Sequence, residues 1–258
     1  MAMGINKYIY VMVNKRFDDS IRVSYTKTEI VDSVDEIQHN IIRECLKYVG
    51  ITGGIEIVTV GDLPASSGLG SSSSVCVGTL NALYNHLGIT KTRYGLARAA
   101  CDIEVEILGN PIGYQDQYAC AVGGFNLYTF LPGEVTVEPV ELGDNNLRLY
   151  YTGMTRDTNH IIRGQEKQED VLNNIKKICL EAKEKGPTSY KRLLQETWEE
   201  KRRLNNVSSG FIDRWVEQTG AGKLLGAGGG GFILSLDKPV PGLKEIEVDI
   251  DYSGSVII

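Results

Sequence analysis

The 258-residue chain has no apolar run near the ~20 residues that cross a bilayer, and it has no excess of basic charge. Lys and Arg number 27 against 33 Asp and Glu, a net charge of −6 with a pI near 5.2. No basic tract interrupts this balance, which argues against nucleic acid as a partner. Residues 1–17 carry no signal-peptide pattern, because their short apolar stretch ends in Asn14-Lys15-Arg16. Histidine is scarce, and His39, His86 and His160 are scattered. The cysteines, Cys45, Cys76, Cys101, Cys120 and Cys179, are odd in number, widely spaced and without a Cys-x-x-Cys pair. A zinc site and a Ser-His-Asp hydrolase are therefore disfavoured. The cysteines read as small core residues in a reducing, cytoplasmic compartment.

What is present is an ordinary globular balance, 42% hydrophobic and 23% charged, which excludes wholesale disorder. The length suits one large domain or two modest ones. Glycine is in excess, 29 of 258 residues, about 11% against a typical ~7%. Much of it clusters in Gly68-Leu69-Gly70 and in Gly226-Ala227-Gly228-Gly229-Gly230-Gly231. Two such loops imply two places where backbone approaches something closely.

Periodicity predicts a strand pair at 9–13 and 21–25 around a polar turn, then a helix over 33–48 with Ile37, Ile41, Cys45 and Tyr48 on one stripe. A strand at 54–60 leads into Asp62 to Ser74. Behind that segment a helix runs to about Leu87, with Cys76, Leu80, Leu83 and Leu87 at helical spacing. A further helix over 92–108 stops at Gly109-Asn110-Pro111. Another strand pair is expected at 125–130 and 135–140. A domain boundary is placed near Gly143-Asp144-Asn145-Asn146, giving domains 1–146 and 147–258. The second half reads as a strand at 147–151, charged helices at about 158–184 and 188–204, a helix at 211–219, and strands at 231–236 and 246–250.

The first glycine loop carries chemistry by its position. A strand ends, a Gly/Ser turn follows, and a helix begins, so free amides and the positive end of the helix dipole make an anion site. Gly68 and Gly70 let amides approach without a Cβ, and Ser71, Ser72, Ser73 and Ser74 add hydroxyls that can donate to phosphate or ligate Mg²⁺. The pattern G-x-x-x-x-G-K-[ST] does not fit, because no Lys follows Gly70. A serine-capped helix after an ordinary turn is the plainer alternative. Two carboxylates lie on the helix ahead of Pro111. Glu104 shares a stripe with Ala97, Cys101 and Leu108 and points to a small apolar face, whereas Glu106 reads as solvated. A carboxylate on an apolar face wants a partner, either a cation or a salt bridge.

Pro64 to Ser73 resembles the phosphate loop of the galactokinase, homoserine kinase, mevalonate kinase and phosphomevalonate kinase (GHMP) superfamily, and Lys223 to Phe232 resembles its C-terminal glycine motif. The two stand in the expected order and about the expected distance apart. Residues 5–11, 31–39, 104–118 and 151–156 are similar to the heptose-phosphate kinase branch, which phosphorylates an anomeric hydroxyl. The resemblance implies an α+β fold in two domains: a ribosomal protein S5 domain 2-like N-terminal ATP-binding domain and a ferredoxin-like C-terminal domain. It implies ATP and Mg²⁺ as cofactors and Pro64, Ser67, Gly68, Leu69, Gly70, Ser71, Ser72, Ser73, Gly228 and Gly229 as nucleotide-binding residues. Ser72 and Glu104 fall on the metal-binding positions. Asp116, in an irregular segment after Gly113, falls on the aspartate that faces the acceptor hydroxyl; an N-cap or Asx turn is its plainer reading. Thr155 and Arg156 match a segment near the substrate, and Arg156 is a candidate for a bidentate hold on the sugar's own phosphate. Lys223 is a weaker candidate for a phosphate contact.

The implied activity is transfer of the ATP γ-phosphate to a hydroxyl of a sugar or sugar phosphate, with heptose 7-phosphate the leading acceptor and fucose, galactose or mevalonate as alternatives. The partner is then a small molecule rather than nucleic acid or membrane, with a homodimer as one allowed assembly. The superfamily's first motif has no counterpart here, and the joins near 184–187, 205–211 and 236–243 are short against the family. Those departures suit a second reading, a catalytically impaired relative that binds nucleotide or sugar phosphate.

Overall fold

A computed structural model gives the structure, which describes residues 1–65, 67–154, 168–205 and 207–258. The chain divides into two compact units. The first contains residues 3–64, 70–124 and 251–258; the second contains residues 1–2, 65–69 and 125–250.

The short β1 (Ala2–Met3) comes first in chain order and lies outside the sheet of the first unit. In the first unit, strands β2 (Ile9–Lys15), β3 (Ile21–Ser24), β4 (Thr28–Val31) and β5 (Ile55–Gly61) form one sheet in the order β2–β5–β3–β4. Alternation sets the buried face, where Ile21, Val23, Ile55 and Ile57 are at most 1% exposed. The expected pairing of the first two strands does not form. β5 lies between them, antiparallel to β2 and parallel to β3. The connection after β2 folds over the start of β5: Arg16 N donates to Gly54 O, and Gly54 N donates to Asp19 O. A Cβ on Gly53 would lie 2.6 Å from Asp19 O, so glycine is what lets the loop cross there.

The helix expected over 33–48 is two elements. A 3₁₀ turn (Val34–Glu36) capped by Ser33 precedes helix α1 (Asn40–Val49), whose cap is the His39 ring accepting from Ile42 N. Ile41, Ile42, Cys45 and Leu46 face the core, while Tyr48 is exposed and donates to Asp102. Helix α2 (Ser71–His86) buries Cys76, Val77, Leu80 and Leu83 against α1 and β2. Helix α3 (Arg93–Cys101) continues as a π turn over Asp102–Ile107, and Gly109 ends it with φ 63°. Helix α4 (Gln115–Val122) follows, so the segment around Asp116 is helical rather than irregular. Residues 251–255 strap this unit shut: Gly124 N donates to Asp251 O, Asp251 N to Gly4 O, and Ser255 N to Ala121 O.

In the second unit, β6 (Phe125–Leu131) and β7 (Glu134–Pro139) form the expected hairpin. This hairpin groups with residues 148–250, ahead of the boundary expected near 146. β8 (Arg148–Tyr151), β9 (Gly222–Leu224), β10 (Phe232–Ser235) and β11 (Lys244–Ile246) make an antiparallel sheet in the order β11–β8–β10–β9. Helices α5 (Glu169–Lys185), α6 (Tyr190–Lys201) and α7 (Gly210–Gln218) accompany it. The start of the helix expected from 158 lies outside the described residues. The core joins Tyr150, Trp198, Ile212, Val216, Leu224 and Ile233, each worth about 1.5–3 kcal/mol in burial.

Candidate active site

Helix α2 opens on Gly70, whose φ of 67° is left-handed, and no side chain caps its first turn. The hydroxyls that could have capped it turn elsewhere. Ser72 Oγ donates to Glu104 Oε1, and Ser73 Oγ donates to Glu104 Oε2 at 2.7 Å. A third donor, Gln117 Nε2 from α4, reaches Oε2 at 2.7 Å. Glu104 is fully buried and, among the described residues, has no basic partner. A salt bridge is thus not what holds it there. Three neutral donors solvate its carboxylate in place of water.

The π turn delivers Glu104. Leu108 N donates to Ile103 O, an i to i+5 bond that widens the helix by one residue. Glu104 faces inward and Glu106 outward, where it accepts from Tyr114 Oη at 3.0 Å. The stripe read at 3.6-residue spacing nevertheless changes register after Cys101, at the widened turn.

Asp116 sits in the first turn of α4, one residue before Gln117. A Cβ placed on Gly70 would lie 3.6 Å from the Asp116 Cβ, Cγ and Oδ2 alike, so this carboxyl packs directly beside the loop glycine. The residue is exposed, but protein crowds its carboxyl group. Lost hydration first, and the Glu104 charge second, push its pKa above the ordinary carboxylate value, against a hydrogen bond from Gln115. Cys120, one turn on, bonds Ser74 Oγ at 3.1 Å, and burial pushes its thiol to about 12, so it is inert packing.

The second glycine loop belongs to the other unit, together with residues 65–69. It lies against Ser67 and Gly68. A Cβ on Gly226 would come 2.5 Å from Gly68 Cα, and one on Gly231 would come 2.1 Å from Ser67 O. Both positions have left-handed φ, 64° and 100°. Only glycine satisfies the contact and the torsion together. Gly229 N donates to Val207 O, and Gly231 N to Met154 O. Ser67 Oγ is buried without a hydrogen-bond partner among the described residues.

The structure therefore brings Ser72, Ser73, Glu104, Gln117, Asp116 and Gly70 together in the first unit, and Ser67, Gly68 and the loop of Gly228 and Gly229 together in the second. Pro64 and Leu69 flank the turn. Thr155 and Arg156 lie outside the described residues. Sequence reasoning missed Gln117. The signal was a polar residue set among Tyr118, Ala119 and Ala121, all buried with it. Among the described residues no group of three or more His, Cys, Asp or Glu is placed to hold a metal. A cation here would rest on one carboxylate and a hydroxyl. Hard oxygen donors and a buried negative charge without a basic partner fit Mg²⁺, which is commonly held by one or two carboxylates with substrate phosphates completing its shell.

Residues 37–124 match the family model for the GHMP kinases N terminal domain. Residues 37–124 are thus a GHMP kinase N-terminal domain. It is 32% identical over 205 residues to D-glycero-alpha-D-manno-heptose 7-phosphate kinase of Campylobacter jejuni, a match covering 70% of this chain and 60% of that protein. It is 26% identical over 226 residues to mevalonate kinase of Pyrococcus horikoshii, covering 79% and 65%. The chain thus spans less than two thirds of the length of these curated relatives. A crystal structure of a D-glycero-D-manno-heptose 1-phosphate kinase from Bacteroides thetaiotaomicron shares its fold with a TM-score of 0.75 at 25% identity, over 95% of this chain and 85% of that one. The mevalonate kinase of Methanococcus jannaschii has the same GHMP fold, with a TM-score of 0.76 at 19% identity, covering 96% and 90%. Among the described residues no helix is long and apolar enough to cross a membrane.

Proposed function

We propose that this chain is an ATP-dependent kinase that transfers the γ-phosphate to a hydroxyl of a sugar or sugar phosphate, most specifically the anomeric hydroxyl of D-glycero-D-manno-heptose 7-phosphate. One observation carries the reading. The first turn of α2 is joined to a buried carboxylate, Glu104, while a second carboxylate, Asp116, packs beside Gly70. Phosphoryl transfer requires phosphates held by fixed dipoles, a metal ligand and a group that addresses the attacking oxygen.

In this reading the amides of Gly68 to Ser73 receive the phosphates, with Pro64, Gly228 and Gly229 shaping the loops. Ser72 and Glu104 hold Mg²⁺, which when bound neutralises phosphate charge. Asp116 orients the acceptor hydroxyl and takes its proton. Lost hydration and the Glu104 charge raise its pKa above the ordinary carboxylate value, which brings its proton affinity nearer to that of a useful base. Thr155 and Arg156 bind the acceptor, and the enzyme works in the cytoplasm. The proposed family domains are 1–146 for ATP binding and 147–258 for the C-terminal part, a division distinct from the two compact units. Likeness to the Campylobacter jejuni heptose 7-phosphate kinase, at 32% identity, supports a heptose phosphate over other acceptors.

The test is coupled ADP release with heptose 7-phosphate, mannose 6-phosphate, fucose, galactose and mevalonate. Turnover that depends on heptose 7-phosphate supports the full reading. Turnover with another acceptor keeps the kinase and replaces the substrate. Nucleotide binding without turnover on any acceptor leaves a binding protein instead.

A further inference from the structure

We infer that Lys201 is a positioning residue for phosphate binding: its ammonium ties together the backbone of Leu224 and Gly226 and so seats the second glycine loop on the first. The inference rests on the kinase reading for its purpose, though the tether itself is a matter of this chain's geometry.

Lys201 is the last residue of α6, which packs on β9. Its neighbours Arg202 and Arg203 turn outward and pair with Glu199, Asp213, Asp170 and Glu200. Lys201 does the opposite. It turns inward, and Nζ donates to Leu224 O at 2.9 Å and to Gly226 O. No carboxylate among the described residues pairs with it. Burial and the charge of Lys223 lower its pKa to about 7. Lys223, on β9, is itself lowered by burial, with Cys179 of α5 facing it. A cation with no counter-ion usually signals an anion site, but here two carbonyl oxygens already occupy the ammonium and would repel an anion. Carbonyls only accept, so the donor is needed.

What the clamp fixes is the turn Leu224-Leu225-Gly226. Leu225 O lies 3.2 Å from where a Cβ on Gly68 would sit, and Gly226 faces Gly68 backbone to backbone. Setting the carbonyls on either side of Leu225 therefore sets how the two loops meet. The tether is strongest when charged. As pH rises through the midpoint of Lys201 the charge is lost, and two charge-assisted bonds become neutral ones.

The experiment compares the full chain with Lys201→Met and Lys201→Arg in two ways. Amide hydrogen exchange without ligand reads the loop at 226–231. ADP affinity, measured from about pH 6 to about pH 8.5, reads the phosphate site on both sides of the amine's midpoint. Lys201→Met is expected to speed loop exchange roughly tenfold and to weaken ADP binding throughout the range. Lys201→Arg, always charged, is expected to keep wild-type exchange, and wild type is expected to lose affinity several-fold against it at the alkaline end. Loop exchange in Lys201→Met within twofold of wild type overturns the tether. Identical pH responses of wild type and Lys201→Arg overturn its charged form as the working one. Should wild type bind no ADP at any pH, the kinase reading fails, and the exchange comparison still decides the tether.

Discussion

Replacing Glu104 probes the centre of the site through stability alone, before any activity is assumed. Its carboxylate is fully buried and receives Ser72, Ser73 and Gln117. In Glu104→Ala the Ser73 hydroxyl and the Gln117 amide are stranded, and both residues are buried. Each stranded donor costs about 1–3 kcal/mol, so the pair costs about 2–6 kcal/mol, with a cavity adding to it. Ser72 is exposed and rebonds to water. In Glu104→Gln the shape survives. The new amide oxygen still accepts from Ser73 and Gln117, and its NH₂ donates to Ser72. Only charge assistance is lost, about 1–2 kcal/mol, partly offset because no charge is buried. Urea midpoints and Tm for the three proteins at neutral pH measure this, at about 2–4 °C per kcal/mol in a chain of this size. Wild type should exceed Glu104→Gln, and Glu104→Gln should exceed Glu104→Ala by at least 1 kcal/mol or so. Equal stability of the two variants would refute the account, since the three bonds would then not be holding the carboxylate. The folded Glu104→Gln protein is also expected to lose Mg²⁺-dependent nucleotide binding.

Asp116→Asn should melt within about 0.5 kcal/mol of wild type, as an exposed site does, yet lose acceptor-dependent ATP turnover by roughly 10²-fold or more; near-wild-type turnover removes Asp116 from the chemistry. The raised pKa of Asp116 also sets a sign: turnover should fall as acid protonates it, with a midpoint above the ordinary carboxylate value, and Asp116→Asn should lack that acid limb in its residual rate profile. Gly226→Ala and Gly109→Ala separate torsion from contact. Both have φ near 64°, but only Gly226 has backbone 2.5 Å from a new Cβ. Gly109→Ala should cost about 1–2 kcal/mol and spare nucleotide binding, whereas Gly226→Ala should cost more and abolish it, as calorimetry with ADP can measure.

Local signals carried much of this structure. The helix behind the Gly/Ser turn with its apolar stripe, and the stop of the next helix at Gly109, follow from propensity and punctuation, and Glu104 faces inward on period alone. What failed was non-local. β2 and β3 have the right composition for strands, but no local pattern says that β5, thirty residues on, lies between them. The three-residue strand Gly222-Lys223-Leu224 has no alternation of its own and forms only because β10 pairs with it. The break at Ile37–His39 hides because Ile37 stays buried while leaving the helix, which preserves the apolar spacing. Gly113 and Pro111 obscure the start of the short helix that carries Asp116, and a neutral amide such as Gln117 advertises nothing until the carboxylate it serves is known.

The strap at residues 251–255 has a consequence for how the protein is made. A ribosome that has released residue 124 has delivered nearly all of the first unit, yet the backbone groups of Gly4, Ala121 and Gly124 still await partners translated well over a hundred residues later. Vectorial synthesis cannot complete this unit first. The intervening second unit must emerge before the earlier one is sealed, and an unsealed intermediate with open backbone is what nascent-chain chaperones are suited to shield.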